Sequence, residues 1–358
     1  MSSPRIEIDL DLIGDNAREL VRRAAERGVS VTGVTKAMCG LPALGRVLLA
    51  AGVVALGDSR VANIERLRGD GVDAPIVLIR SALASEVDRV VAAADASCAT
   101  EVAIVELLSA AAVRAGREHG IMLMVELGDL REGLMPDDLP DAIARCLALP
   151  NIDVRGIGTN LACRNGVVPD DRNMGELSDL AASIEAQFGI ALGVVSGGNS
   201  SSLDWLSSTD DVGRIDNLRL GEAILLGRDP LHRVPIAGLH HDAATIFAEV
   251  IESKHKPRRA WGERAQGTFT PPADPTGDEA PTDEEPGWHS LLAIGHQDTD
   301  PLDLDAPPGT RIIGASSDHL VIASEHRLAL GSEVAFRPGY SALARAMASR
   351  TLHSIIGA

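Results

Sequence analysis

Aromatic residues are scarce in this chain, with four Phe, three Trp and one Tyr among 358 residues. Apolar residues still make up 45% of it, so a sizeable core is available, but it must be built from Ala, Val, Leu and Ile. Tyr340, the single tyrosine, stands out against that background. Cysteine is equally sparse. Cys39, Cys98, Cys146 and Cys163 lie far apart without CxxC spacing, which argues against a disulfide framework or a zinc site and for reduced thiols. Positive charge is in deficit: 33 Lys and Arg face 51 Asp and Glu, a formal net charge of −18. Nucleic acids and anionic membrane surfaces require a basic footprint that is missing here. No apolar signal-peptide core follows Met1-Ser2-Ser3-Pro4-Arg5, and no uninterrupted apolar run reaches membrane-spanning length. Nor does a GxGxxG follow any apolar run, which removes the main argument for a dinucleotide fold. The expectation left by these absences is a soluble cytoplasmic protein that handles a small molecule.

What is present is a repeating alternation. Ile6-Glu7-Ile8-Asp9 leads into a helical segment through Ala17, Leu20, Val21 and Ala24 that ends at Gly28. Val31 to Val34, Val53 to Gly57, Ile76 to Ile79, Ile121 to Leu127, Val154 to Gly158, Gly193 to Ser196 and Leu218 to Leu220 follow as strand-like runs, with amphipathic stretches between them. About eight such repeats in more than 200 residues predict an α/β fold, a (β/α)8 barrel rather than an open doubly wound sheet. After Gly227 the pattern turns to strands at Ile246–Glu252, Ser290–Ile294, Arg311–Ile313, Leu320–Ala323 and Glu333–Phe336. A Pro-, Gly- and acid-rich stretch from Gly267 to Gly287 reads as a surface loop, and a short helix is predicted from Ser341 to Met347. The predicted division is a barrel over residues 9–233 and a smaller, mostly β domain over 234–358 together with 1–8.

In a (β/α)8 barrel the chemistry sits at the C-terminal ends of the strands. Lys36 falls at such an end, where Val31-Thr32-Gly33-Val34-Thr35 gives way to the small residues Ala37-Met38-Cys39-Gly40. Desolvation there disfavours the ammonium, which suits a lysine that condenses with an aldehyde such as pyridoxal phosphate. Other strand ends are also polar. They are Glu126-Leu127-Gly128-Asp129-Leu130-Arg131-Glu132-Gly133, Gly158-Thr159-Asn160, Ser196-Gly197-Gly198-Asn199-Ser200-Ser201-Ser202 and Arg219-Leu220-Gly221-Glu222. The Gly/Ser turn offers backbone N–H groups to a phosphate.

Thr35-Lys36 with Cys39-Gly40, the runs Glu126 to Gly133, Ser196 to Ser201 and Leu218 to Ala223, and further on Ala248-Glu249-Val250-Ile251-Glu252, Ala293-Ile294-Gly295-His296-Gln297-Asp298, Gly314-Ala315-Ser316-Ser317-Asp318-His319-Leu320 and Gly339-Tyr340-Ser341-Ala342-Leu343, resemble the ornithine-racemase-type branch of the alanine racemase family over nearly the whole chain. The resemblance implies a fold-type III pyridoxal 5′-phosphate enzyme: a barrel, a C-terminal β domain and a head-to-tail homodimer sharing its active sites. It makes Lys36 the cofactor lysine and one acid/base group. Arg219 would face the pyridine nitrogen with Asn160 beside it. Asn199, Ser200, the backbone N–H groups of Gly221 and Glu222, and Tyr340 would form the cofactor's phosphate site. Arg131 and Ser317 would bind the substrate carboxylate. A guanidinium cannot readily give up its proton, so the ring nitrogen would stay unprotonated and the carbanion short-lived, which favours racemisation over transamination.

Two departures matter. The family's second base, a tyrosine early in the β domain, has no counterpart near Gly262-Glu263-Arg264-Ala265-Gln266-Gly267, and Cys39-Gly40 replaces the tyrosine that closely follows the lysine. Substitutes for the second base are His296, Asp298, Asp318 and His319, of which the Ser317-Asp318 loop is favoured, with Asp318 as the catalytic group. Two alternatives to a racemase stay open. One is a pyridoxal phosphate D-amino-acid aldolase, which needs a metal, although His240-His241-Asp242 in a linker is the nearest cluster and no metal is expected. The other is a cofactor-binding protein of little turnover. The branch suggests a basic amino acid such as ornithine or lysine, with Glu126, Asp129 or Glu132 supplying negative charge.

Overall fold

The computed structural model describes residues 3–257, 261–263 and 287–357. It forms two compact units, Leu10–His241 and Met1–Asp9 with Asp242–Ala358. The first strand, β1 (Arg5–Asp9), belongs to the second unit. In the first unit, β2 (Ser30–Val34), β3 (Ala55–Asp58), β4 (Ile76–Leu78), β5 (Ala96–Ala99), β6 (His119–Met124), β7 (Ile152–Gly158), β8 (Val194–Ser196) and β9 (Asn217–Leu220) close into a barrel. Every neighbouring pair is parallel, and β9 returns to β2 with Thr32 opposite Arg219. The expected barrel is therefore present, followed by an antiparallel β unit.

Strands covered on both faces need not alternate, and β6 is buried at all of its positions. The helices outside do show a stripe. In the helix Leu10–Ala25, Leu10, Ile13, Ala17, Leu20 and Ala24 recur at helical spacing and are buried. Helix limits follow local chemistry. Asp170 and Asn173 form a reciprocal capping box that opens Asp171–Phe188, and Gly189 closes it at a φ of 64°. With few aromatics available, the barrel interior is filled partly by sulfur: Cys98, Met122 and Met124 pack with Val77, Ile79 and Val194.

In the second unit the strands are β10 (Ala244–Lys256), β11 (Gly287–Leu292), β12 (Leu304–Asp305), β13 (Thr310–Ala315), β14 (Leu320–Ser324), β15 (Glu333–Pro338) and β16 (His353–Gly357). They run in the order β12-β15-β10-β11-β14-β13, and β1 lies antiparallel to β10 and parallel to β16. Here period-two burial is plain: Ala244, Ile246, Ala248 and Val250 of β10 and Val334 and Phe336 of β15 face the core. Arg5 of β1 stacks over Phe247 at 4.2 Å and pairs with Glu7 and Glu333. The final helix covers Tyr340–Ala348. The acidic stretch read as a loop, apart from Gly287, lies outside the described residues.

Candidate active site

After β2 the chain turns sharply through Lys36–Met38, with Cys39 left-handed at φ 50°. Gly40 is required here, because a Cβ would lie 2.7 Å from Asn63 Cβ and φ is +62°. The turn is anchored by Asp58, which ends β3 and is fully buried. Its carboxylate accepts hydrogen bonds from Thr35 Oγ1 at 2.7 Å, Asn63 Nδ2 at 2.9 Å and the Arg60 N–H at 3.0 Å. Burial pushes the Asp58 carboxyl up even against those donors. Lys36 reaches solvent at the barrel mouth but is hemmed in by protein, and that desolvation lowers its pKa. Cys163 and Asp58 oppose the fall, while the Arg131 and Arg219 cations reinforce it.

Arg219 is buried inside the barrel. Its guanidinium donates to Ser196 Oγ at 2.5 Å and to the Thr159 carbonyl at 2.6 Å. Gly158 leaves it room, since a Cβ there would stand 3.3 Å from Nη1. Ser196 ends β8 and Thr159 follows β7, so three adjacent strands fix one cation.

The Ser/Asn turn after β8 packs against the end of β9. Ser200 Oγ accepts N–H bonds from Gly221 at 3.3 Å and Ala223 at 3.2 Å, next to Glu222 at the start of the helix Glu222–Leu226. Asn199 caps the turn by accepting from the Ser201 N–H, and its Nδ2 donates to Asn160 Oδ1 at 3.0 Å. Ser201 is 1% exposed, and its hydroxyl has no hydrogen-bond partner among the described residues. An orphaned buried hydroxyl costs free energy unless something accepts from it. A phosphate oxygen here would do so.

Glu126 and Asp129 are committed to backbone. Glu126 accepts from the N–H groups of Gly128, Leu130 and Arg131. Asp129, 1% exposed, accepts from those of Cys163, Arg164, Asn165 and Val167. Burial raises its pKa and those donors more than reverse the effect. Neither carboxylate is available to a substrate amine, contrary to the expectation for these two residues. Glu132 is held by Arg131 at 2.5 Å.

The structure thus brings Lys36, Asn160, Asn199, Ser200, Arg219, Gly221 and Glu222 to the strand-end face of the barrel, with Arg131 on the loop after β6. Ser317, Asp318 and Tyr340 belong to the other unit. Ser317 and Asp318 sit on the turn between β13 and β14, where Ser317 Oγ donates to Asp318 Oδ1 at 2.8 Å and lowers its pKa. Tyr340 opens the last helix. Residues 264–267, part of the stretch where a second-base tyrosine was sought, lie outside the described residues. Asp58 and Cys163 were not anticipated. Asp58 was signalled only by an acid ending the run Ala55-Leu56-Gly57.

Among the described residues, the side chains that could share a metal are Asp204, Asp229 and His232, not His240-His241-Asp242. The backbone N–H groups of Leu231 and His232 already cap Asp229.

A closed parallel barrel with a lysine and a buried arginine at one mouth, followed by an antiparallel β unit, defines the class as a fold-type III pyridoxal phosphate enzyme. The family model for the alanine racemase N-terminal domain matches residues 8–229. The chain is 34% identical over 357 residues to the ornithine racemase of Acetoanaerobium sticklandii, covering 97% of each protein. It is 33% identical to the lysine racemase of Thermotoga maritima, covering 98% of this chain and 97% of that one. Among solved structures, a D-threonine aldolase from Filomicrobium marinum superposes with TM-score 0.76 at 16% identity over 99% of this chain and 91% of that one. An alanine racemase from Streptomyces lavendulae does so with TM-score 0.73 at 20% identity over 100% and 98%. At those identities the two structures speak for the fold alone. The chain belongs to the alanine racemase family.

Proposed function

We propose that the protein interconverts the L and D forms of a basic amino acid, ornithine or lysine, using pyridoxal 5′-phosphate. The observation that carries this is the joint placement of Lys36 and the buried Arg219 on neighbouring strands at one barrel mouth, beside a hydroxyl- and amide-lined turn with an unpartnered Ser201 hydroxyl. The substrate class rests on the ornithine and lysine racemases to which the chain is similar. The cofactor, when bound, supplies an electron sink that acidifies the Cα proton. Lys36, held below the usual lysine range by desolvation, would take or deliver the Cα proton on one face, and inversion needs a second acid/base group on the other. Arg219, whose guanidinium does not readily give up its proton, would face the cofactor's ring nitrogen and would weaken the electron sink, which favours reprotonation over side reactions. Ser200, Asn199 and the N–H groups of Gly221 and Glu222 would hold the cofactor's phosphate, with Tyr340 as a further phosphate ligand. Asn160 lies next to Arg219, and Arg131 and Ser317 receive the substrate carboxylate. Two chains form a homodimer that shares its sites, in the cytoplasm.

The test is purified protein with pyridoxal phosphate and each enantiomer of ornithine, lysine, alanine and serine in D2O, followed by NMR and chiral chromatography. Deuterium at Cα with inversion of both enantiomers, fastest for ornithine or lysine, is the expected result. Replacing Lys36→Ala should lower turnover by at least about 10³-fold. Exchange without inversion, or release of glycine and an aldehyde from a β-hydroxy amino acid, would refute the racemase reading.

A further inference from the structure

A two-base racemase needs a second proton-transfer group facing Cα opposite its lysine, and the chain's one tyrosine is Tyr340. Asp318, favoured from the sequence, lies on the β13–β14 turn of the other unit and accepts from Ser317 Oγ at 2.8 Å, so an alternative on the barrel itself is worth seeking. Within the barrel mouth most candidates are already committed. Asp58 is sealed and takes three donors. Glu126 and Asp129 are occupied by backbone N–H groups, Glu132 is paired with Arg131, and guanidinium groups hold their protons. Burial pushes the Cys39 thiol up, which keeps it protonated and unable to accept a proton near neutral pH.

Cys163 is different. It follows Asn160 on the loop after β7 and, of the four cysteines, it is the exposed one. Its position is fixed from both ends: the backbone N–H donates to Asp129 at 3.1 Å, and the sulfur accepts from Asn160 Nδ2 at 3.0 Å, with Asn199 Nδ2 3.5 Å away. The direction of these bonds cannot be reversed. The Ser201 N–H can only donate, so Asn199 must present Oδ1 to it at 2.8 Å. Asn199 Nδ2 then faces the Leu161 carbonyl at 2.9 Å, an obligate acceptor, and Asn160 Oδ1 at 3.0 Å. Asn160 must in turn offer its NH2 to the sulfur. Cys163 is therefore the terminal acceptor of a one-way relay that begins at the phosphate turn, and any proton on the sulfur has to point elsewhere. Of the titratable groups around Lys36, Cys163 acts on it most strongly through charge, and it also acts on Arg219.

We propose that Cys163 is the second acid/base of the racemase, the counterpart of Lys36 across Cα. This rests on the racemase reading above. From one enantiomer the thiolate takes the Cα proton and becomes the thiol. The C–H electron pair passes into the conjugated cofactor, and the Lys36 ammonium gives a proton to the other face and becomes the neutral amine. From the other enantiomer both transfers run backwards, so protons and charge balance over a cycle.

The test compares wild type, Cys163→Ala and Cys163→Ser, loaded with pyridoxal phosphate, on D- and L-ornithine in D2O. Both variants should keep the cofactor's absorbance band and lose racemisation by about 10²-fold or more. Cα exchange should survive from one enantiomer alone, the one whose proton faces Lys36. Variants that racemise within about threefold of wild type would overturn the proposal. So would variants that lose the absorbance band, because Cys163 would then be structural. Carbamidomethylation of wild type by iodoacetamide, read by peptide mass, gives an independent measure. Cys163 should react in the cofactor-free protein and be protected at least tenfold by pyridoxal phosphate with ornithine, and equal reaction in both states would again overturn it. If wild type exchanges no amino acid, the racemase reading itself fails, while the alkylation pattern still reports whether Cys163 lines the cofactor space.

Discussion

Lys36 works because of what surrounds it. Withdrawal from bulk water lowers its pKa, and the nearby Asp58 carboxylate restores part of the loss. Asp58→Asn should therefore drop Lys36 further and let it capture pyridoxal phosphate at a more acidic pH than wild type does, as read by the absorbance of cofactor-free protein titrated with cofactor from pH 6 to 9. An unchanged capture profile would show that Asp58 is only a brace for the turn. The substitution also replaces a buried charge by an amide. Three donors face Asp58 and an amide oxygen can meet only some of them, so a cost of about 1 kcal/mol is expected near neutral pH. Lys36 and Arg219 were legible in the sequence as cations at strand ends. Asp58 and Cys163 were not, because their meaning lies in partners 23 and about 36 residues away, Thr35 and Asn199.

At the scale of elements, the barrel strands differ in how loudly they announce themselves. The run from Ile121 to Leu127 reads as a strand from its apolar residues and coincides with β6 as far as Met124, whereas β5, Ala96-Ser97-Cys98-Ala99, is too small and too short to show a period. β5 exists because the barrel closes around it, pairing it with β4 and β6. It also holds one end of a buried contact, Ser97 Oγ to His119 Nε2 at 2.7 Å. Burial depresses the His119 pKa from 6.5 to about 4. A histidine so lowered binds its proton later in the folded state than in the unfolded one, so its contribution is complete above pH 6.5 and is lost as pH falls toward 4. The loss amounts to roughly 3 kcal/mol. Urea unfolding from pH 7 to 4 should show this slope in wild type and a flatter one in His119→Gln. Equal slopes would place the acid sensitivity in other groups. Where side chains tie loops together, sequence patterns are weakest. Asp129 resembles a substrate carboxylate in the motif and is in fact the clasp that holds residues 163–167.

Taken whole, the molecule carries a formal charge of −18, and a cationic substrate is drawn toward it by that field. For ornithine, kcat/KM should fall severalfold between 10 mM and 500 mM NaCl, while for alanine, which bears no net charge, it should hardly move. Parallel salt curves for the two would mean that steering contributes nothing. The order in which the chain is made adds a consequence of a different kind. β1 is complete at residue 9, but one neighbour starts at Ala244 and the other, β16, ends at Gly357. At roughly 5–20 residues per second, translation leaves that strand waiting on the order of half a minute for its mates while the barrel is made in between. Its charged Arg5, Glu7 and Asp9 suit such a wait, since charge on an unpaired strand discourages chance pairing. A strand synthesised before the whole barrel thus completes its pairing after it, and losing β16 would leave β1 without one of its partners.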